Sequence, residues 1–161
     1  GSLRVWRIIG PFPNWDGDGH NTAYPPEAGY DATAAYAGWY RAAGWLTWHQ
    51  RPEDGDEVPL SRLLRPQMVE MDPCPGTYYA YTDLTSEERV ETRVMLRHTG
   101  TAKCWLNGRA LQLELEPGAD TPGANVVLKQ GRNALLVKLS TAAGPAKVAL
   151  RLSDNAGLRW L

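Results

Sequence analysis

Phenylalanine is nearly absent from this chain. There is one, against seven tryptophans and seven tyrosines. A plain apolar core would be expected to use more of it. Trp and Tyr join a ring face to a polar edge and suit partly exposed platforms, although most such rings are still expected to pack inside. Cysteine is scarce too. Cys74 and Cys104 alone cannot build a tetrahedral zinc site, and no CxxC spacing occurs. A Cys74–Cys104 disulfide stays open for a secreted protein. No apolar run approaches the roughly 20 residues that span a bilayer, so no membrane partner is expected. The net charge is -1 and no dense Lys/Arg stripe exists. The composition therefore carries no electrostatic footprint for nucleic acid.

Catalytic signatures are missing as well. There is no GxSxG elbow, no HExxH pair and no phosphate-cradling GxxxxGK[ST] loop. His98 sits at a strand end beside a Thr-Gly turn. His20 and His49 have no Ser or Cys nearby to suggest a triad. Glycoside hydrolysis needs two carboxyl groups, one with a raised pKa. Asp16, Asp18, Glu27, Asp31, Glu53 and Asp54 are available, but all lie in polar stretches where no desolvation would raise a pKa. No catalytic residue is assigned, and the domain by itself is not expected to be an enzyme.

What is present is a succession of short strands. Leu3 to Ile9 reads as a strand that stops at Gly10-Pro11. Phe12 to Ala37 has no clean period and reads as a long ordered loop. Asp31 to Ala43, rich in alanine, is open between a short helix and more loop. Gly44 to Gln50 alternates as a strand, Arg51 to Glu57 reads as a turn, and "VPLSRLL" as a short strand or one helical turn. Gly76 to Leu84 and Arg89 to His98 are strands. "TAKCWLNGRALQLEL" predicts two strands around Asn107-Gly108, the strongest two-residue hairpin signal. "ANVVLKQGRNALLVKLS" predicts a second hairpin turning at "KQGRN", and Ala146 to Asp154 closes the set. About eight to ten short strands, without βαβ alternation, point to an antiparallel sandwich. The opening Gly1-Ser2 reads as a cloning scar, and residues 3–161 are expected to form a single β-sandwich domain from a larger multidomain protein.

The long loop supports two chemistries. In "WDGDGHN", Asp16 and Asp18 are spaced like the start of a calcium loop, with Glu27 at the twelfth place. But His20 takes the fifth place, Asn21 stands where glycine is needed, and Pro25-Pro26 precede the Glu. A turn without metal is the plainer reading; Asp16 and Asp18 are the candidate ligands for a structural calcium, and no cofactor is required. The second chemistry is sugar recognition. Trp15, Tyr24, Tyr30, Trp39, Tyr40 and Trp45 alternate with Asp16, Asp18, His20, Asn21, Glu27 and Asp31. Aromatic faces stack on the apolar face of a pyranose while polar neighbours take its hydroxyls, each contact being modest. The residues assigned to such a site are Trp15, Asp18, His20, Asn21, Tyr24, Glu27, Trp39 and Trp45. The alternative is that these rings pack the loop onto the sandwich.

The second half of the chain resembles the galactose-binding-domain-like jelly roll. The resemblance is carried by "CWLNGRAL" (Cys104 to Leu111), a strand turning over Asn-Gly, and by "VVLKQGRNALLVKLS" (Val126 to Ser140). The opening "WRIIGPFPN…YPPE" is similar to the start of such modules in large secreted bacterial proteins. The resemblance implies an all-β, antiparallel β-sandwich with a long irregular N-terminal loop, often with a structural calcium. It also implies a non-catalytic carbohydrate-binding module that brings a covalently linked glycoside hydrolase or lyase to a polysaccharide or oligosaccharide. Such a module is expected to be monomeric and to work in the extracellular or periplasmic space. Some members of the fold are purely architectural, so the fold does not fix the function. Neither matching motif transfers a sugar-contact residue.

Overall fold

The computed structural model describes residues 4–37, 45–53, 56–63, 76–154 and 157–161. Its elements in chain order begin with β1 (Arg4–Phe12), β2 (Ala35–Ala37), β3 (Trp45–Thr47), β4 (His49–Glu53) and β5 (Glu57–Pro59). They continue with β6 (Gly76–Ser86), β7 (Val90–His98), β8 (Thr101–Leu106), β9 (Arg109–Ala110), β10 (Gly123–Leu128), β11 (Gly131–Thr141), β12 (Lys147–Leu152) and β13 (Leu158–Trp160). One helical turn, α1 (Leu60–Leu63), follows β5, and two 3-10 turns lie at Asp18–His20 and Pro25–Ala28. No helix among the described residues is long and apolar enough to cross a membrane.

All strand pairings are antiparallel. The larger sheet runs β4-β1-β6-β11-β8-β9, with β13 also on β6; the smaller runs β10-β7-β12-β5; β2 and β3 form a separate ribbon. Alternation puts one set of side chains from each sheet into a shared core. Trp6, Ile8, Tyr78, Ala80, Leu135, Val137 and Leu139 come from the larger sheet, and Val94, Leu96, Val126, Val148 and Leu150 from the smaller. Two antiparallel sheets closing on one apolar layer are consistent with a β-sandwich.

Several elements differ from the sequence reading. β1 does not stop at Gly10-Pro11. It reaches Phe12 through a register shift against β6, where Ile9 pairs with Tyr79 and Phe12 with Thr77. One extra residue on β1 makes a bulge, a place where proline's missing donor is tolerated. Arg51 to Glu57 is not a turn throughout, since β4 extends to Glu53 along the edge of β1. An edge accepts Pro52 as an interior strand would not. Gly44 to Gln50 is not one strand: among its described residues Trp48 divides β3 from β4. Within Asp31 to Ala43, neither helix nor plain loop holds for Ala35–Ala37, which pairs with Trp45–Thr47. The Asn107-Gly108 hairpin forms, with Asn107 at φ 50° and Gly108 at φ 81°, but its second strand is only β9.

The largest difference is at "KQGRN". β10 pairs with β7 and β11 pairs with β6 and β8, so this connection crosses between sheets and is not a hairpin. Buried Asn133 holds the corner. Its Oδ1 accepts from the Lys129 N–H (3.1 Å) and from Asn107 Nδ2 (3.0 Å), and its Nδ2 donates to the Lys129 and Gly131 carbonyls (2.8 and 3.1 Å). Asn107 in turn accepts from the Ala134 N–H at 2.9 Å. Only a carboxamide offers donors and acceptors together in this way. Replacing Asn133 by alanine strips four partners at a buried corner. It is expected to cost about 2–4 kcal/mol in guanidinium unfolding, the range for leaving buried polar groups unpaired.

Candidate functional site

The outer face of the larger sheet is the most polar buried surface in the fold. Alternation along β6 and β11 turns Tyr79, Tyr81, Asp83, Leu136 and Lys138 away from the core. Almost every residue of β6 is nonetheless buried. The N-terminal segment supplies the cover. Phe12, Tyr24, Tyr36, Leu46, Tyr79 and Leu136 form a second apolar cluster there. Tyr24 stacks on Phe12 with centroids 4.9 Å apart, and Tyr30 lies flat on Tyr81 at 4.1 Å with the edge of Trp48 against it.

At the centre Lys138, fully buried, donates to the Glu27 carboxylate (2.8 Å) and to the Thr22 carbonyl (2.6 Å). The same Glu27 oxygen accepts from the Tyr79 hydroxyl (2.5 Å) and the Tyr24 N–H (3.1 Å). Burial pulls the Lys138 ammonium below its ordinary range, against the pull of Glu27. Burial also raises the Tyr79 phenol, and the Glu27 carboxylate adds to that rise. Pro25-Pro26 opens the turn that delivers Glu27, a position where the missing N–H is not needed. Nearby, Asp83 accepts from the Tyr81 hydroxyl (2.7 Å) and from Arg132 (2.5 Å), and Arg7 stands 3.4 Å away. Burial raises the Tyr81 phenol to about 12, and the bond to Asp83 adds to it.

The turn Asp18–His20 is pinned just as tightly. Buried Asn14 accepts from the Gly19 N–H and donates to the Thr141 carbonyl, each at 2.9 Å. A Cβ on Gly19 would meet Thr77 Oγ1 at 2.1 Å, so only glycine fits this approach. His20 is half-buried, with its Nδ1 lacking a hydrogen-bond partner among the described residues. Desolvation, then Lys103 and Lys138, lower its pKa, while Glu27 opposes them and His98 adds slightly.

The residues assigned from the sequence therefore separate. Tyr24 and Glu27 come together, but with Lys138, Tyr79 and the Pro13 carbonyl, which takes the Tyr24 hydroxyl at 2.6 Å. Asp16, Asp18 and Asn21 are exposed around the Asp18–His20 turn. Trp15 and Trp45 stand 69% and 70% exposed, far more than any other described aromatic ring. Trp39 and Cys74 lie outside the described residues. Cys104 is a buried thiol in the core, its pKa raised to about 12 by desolvation. The Asp18 carbonyl is taken by Asn21, Thr22 and the Thr22 hydroxyl. No group of three or more His, Cys, Asp or Glu side chains converges to hold a metal among the described residues. Asp16 and Asp18 belong to no such group among the described residues.

Sequence reasoning missed Lys138, Tyr79 and Asp83. The available signal was a lysine in the middle of the apolar run "ALLVKLS", and polar tips at every second residue of "TYYAYTD". It also passed over a cavity of about 650 Å³ between the β8–β9 hairpin and β10, rimmed by Asn107, Arg109, Gln112, Glu114 and Asn125.

Two outcomes are expected. Glu27→Ala strands the buried Lys138 charge and costs about 3–5 kcal/mol, whereas Glu27→Leu with Lys138→Met together costs much less, as for apolar replacement of a buried pair. Urea melts of the three proteins measure both. For His20 the folded pKa lies below the unfolded value of 6.5, so the unfolded chain takes up the proton first as pH falls. Stability linked to His20 is complete above pH 6.5 and is lost as pH falls through the folded value. His20→Gln should remove that part of the acid sensitivity in melts recorded from pH 7.5 to 5.

No protein-family model matches the chain, and no curated protein matches it. Among solved structures it is similar to a GH31 α-xylosidase from Xanthomonas citri, at 10% identity and a TM-score of 0.44 over 99% of this chain. It is also similar to an α-L-rhamnosidase from Aspergillus terreus, at 11% identity and a TM-score of 0.34 over 99% of this chain. The chain spans 16% and 24% of those two proteins. Likenesses this distant carry no functional argument.

Proposed function

We propose that this chain is a non-catalytic carbohydrate-binding module of the galactose-binding-like, jelly-roll type. In this reading it binds glycan through aromatic stacking at Trp15 and Trp45. The observation that carries it is the exposure of those two rings, 69% and 70%, in a fold that buries or half-buries its other described aromatics. An exposed indole offers the flat aromatic face on which the apolar face of a pyranose can stack. Trp15 is followed by Asp16 and Asp18, and Asn21 and His20 are close in sequence, so acceptors and donors for sugar hydroxyls stand near the ring. The segment that bears Trp15 is held by Asn14, Gly19 and the Glu27–Lys138 pair. Holding it in advance reduces the entropy lost on binding. Trp39 belongs to the same proposal by sequence alone. Tyr24 and Glu27 leave it as direct contacts and enter it as supports.

An architectural role beside a catalytic domain is the second reading. It is favoured by the spending of Tyr24 and Glu27 on internal packing. The two readings part in one experiment, affinity electrophoresis through gels containing plant, algal and bacterial polysaccharides. Binding by the wild type that falls about fivefold to tenfold in Trp15→Ala or Trp45→Ala is expected, the range for losing one stacking platform. Retardation by none of the polysaccharides, or retardation that both variants retain in full, would overturn the sugar-binding reading.

A further inference from the structure

The smaller sheet presents a second surface, on the side of the fold away from the N-terminal segment. β7 and β12 pair so that Arg97 lies opposite Ala149 and Met95 opposite Arg151. Val94, Leu96, Val148 and Leu150 point into the core, so these four side chains point outward. Diagonal neighbours on a sheet face stand about 7–8 Å apart, within reach of two arginines converging on one group. Ala149 is too short to fill the space between them. The result is a cavity of about 230 Å³ with Ala149 and Met95 as its floor between Arg97 and Arg151, and with Asp120 and Thr121 also in its lining.

The wall that carries Asp120 and Thr121 is fixed. Glu114 and Gly123 exchange backbone hydrogen bonds at 2.9 and 3.0 Å, and the Leu96 N–H donates to the Pro122 carbonyl at 2.9 Å. Arg93 clamps the same segment by donating to the Glu114 and Gly123 carbonyls, to Asn125 and to Glu116, at 3.0–3.1 Å.

The charges do not balance. Asp56 serves both Arg4 (3.0 Å) and Arg151 Nε (2.5 Å), so one carboxylate answers two guanidiniums. The Arg97 side chain has no hydrogen bond or ion pair among the described residues, and the terminal nitrogens of Arg151 are uncommitted there. Asp120 takes the Thr121 hydroxyl at 2.9 Å and is the one acid in the lining among the described residues. Planar guanidinium forks with open donors suit a carboxylate. A bare oxyanion would leave most of the space unfilled, since a water occupies about 30 Å³. The apolar floor can meet the C–H face of a ring, while Asp120 and Thr121 can meet its hydroxyls.

We infer that this depression takes the uronate ring of an acidic saccharide, with its carboxylate bridged between Arg97 and Arg151. The inference borrows only the ligand class from the sugar-binding reading, and its site is a different one.

Titration of the labelled chain by two-dimensional NMR tests it, with trigalacturonate, trimannuronate and neutral galactotriose as probes. At least one uronate trisaccharide should shift the resonances of Met95, Ala149 and Thr121, and galactotriose should not. Arg97→Gln should weaken the uronate about tenfold, as expected for losing charge-assisted hydrogen bonds. The exposed Arg97 side chain makes no hydrogen bond or ion pair among the described residues, so the fold should survive its replacement. Equal shifts from galactotriose, uronate binding unaltered in Arg97→Gln, or no shift at these residues with either uronate would overturn the inference. The indole N–H signals of Trp15 and Trp45 report the other face in the same spectra, so the two readings fail separately.

Discussion

A lysine in the middle of a central strand is an expensive choice, and Lys138 sets the terms for everything on its side of the larger sheet. Removing an ammonium from water costs several kcal/mol unless it is paired and hydrogen-bonded. The neighbours on β6 and β8 cannot supply that pairing, because Tyr79 offers a hydroxyl and Lys103 a like charge. The compensation arrives from more than a hundred residues away in sequence, as the Glu27 carboxylate and the Thr22 carbonyl. The N-terminal segment therefore has to lie on the sheet. Once it does, Tyr30 can stack on Tyr81, Gly19 can sit against Thr77, and the apolar cluster around Phe12 can close. Glu27 and Lys138 are each of little use without the other, which is why a long aperiodic segment holds one conformation.

That arrangement divides the polar and aromatic residues of the segment into two groups. Residues that face the sheet, such as Tyr24 and Glu27, have their hydrogen-bonding capacity used internally. Residues that face away, such as Asp18 and Asn21, turn their side chains to solvent. A side chain cannot both anchor the segment and take up a ligand hydroxyl with the same oxygen. In the proposed sugar-binding reading the anchoring group matters indirectly. It keeps Trp15 on a pinned turn, so that ring does not have to be ordered by each ligand it meets.

The strands were the legible part of the sequence. Period-two alternation in β6, β7 and β12 and the Asn107-Gly108 turn are local signals, and each points to its element directly. What could not be read was pairing between distant segments. "KQGRN" looks like a hairpin turn because a tight turn and a sheet-crossing corner use the same residues; only the partners of Asn133 distinguish them. Gly10-Pro11 looked like a stop and the stretch around Pro52 like a turn because the bulge and the edge position that tolerate these prolines depend on β1 meeting β6 and β4. At the candidate site, residue types announced that the loop was unusual, but not which way each side chain turned. Glu27 was chosen as a hydroxyl acceptor because it was acidic and flanked by aromatics. The group that claims it, Lys138, stands 111 residues further along the chain.

The two sheets meet at one core and differ completely on their outer faces. The larger has its outer face covered by a segment of its own chain and shows solvent the back of that cover. The smaller has no such cover among the described residues and shows solvent strand side chains directly, with Arg97 and Arg151 exposed and Met95 half-buried. A covered face can present rings from the covering segment, as at Trp15 beside the Asp18–His20 turn and at Trp45 on the β2–β3 ribbon. A bare face is limited to the regular grid of a pleated sheet, where the spacing of two diagonal arginines is set by the pleat. The kinds of ligand proposed for the two faces follow from this difference: ring stacking where the covering segment presents an aromatic to solvent, and charge recognition where strand register places two arginines as diagonal neighbours.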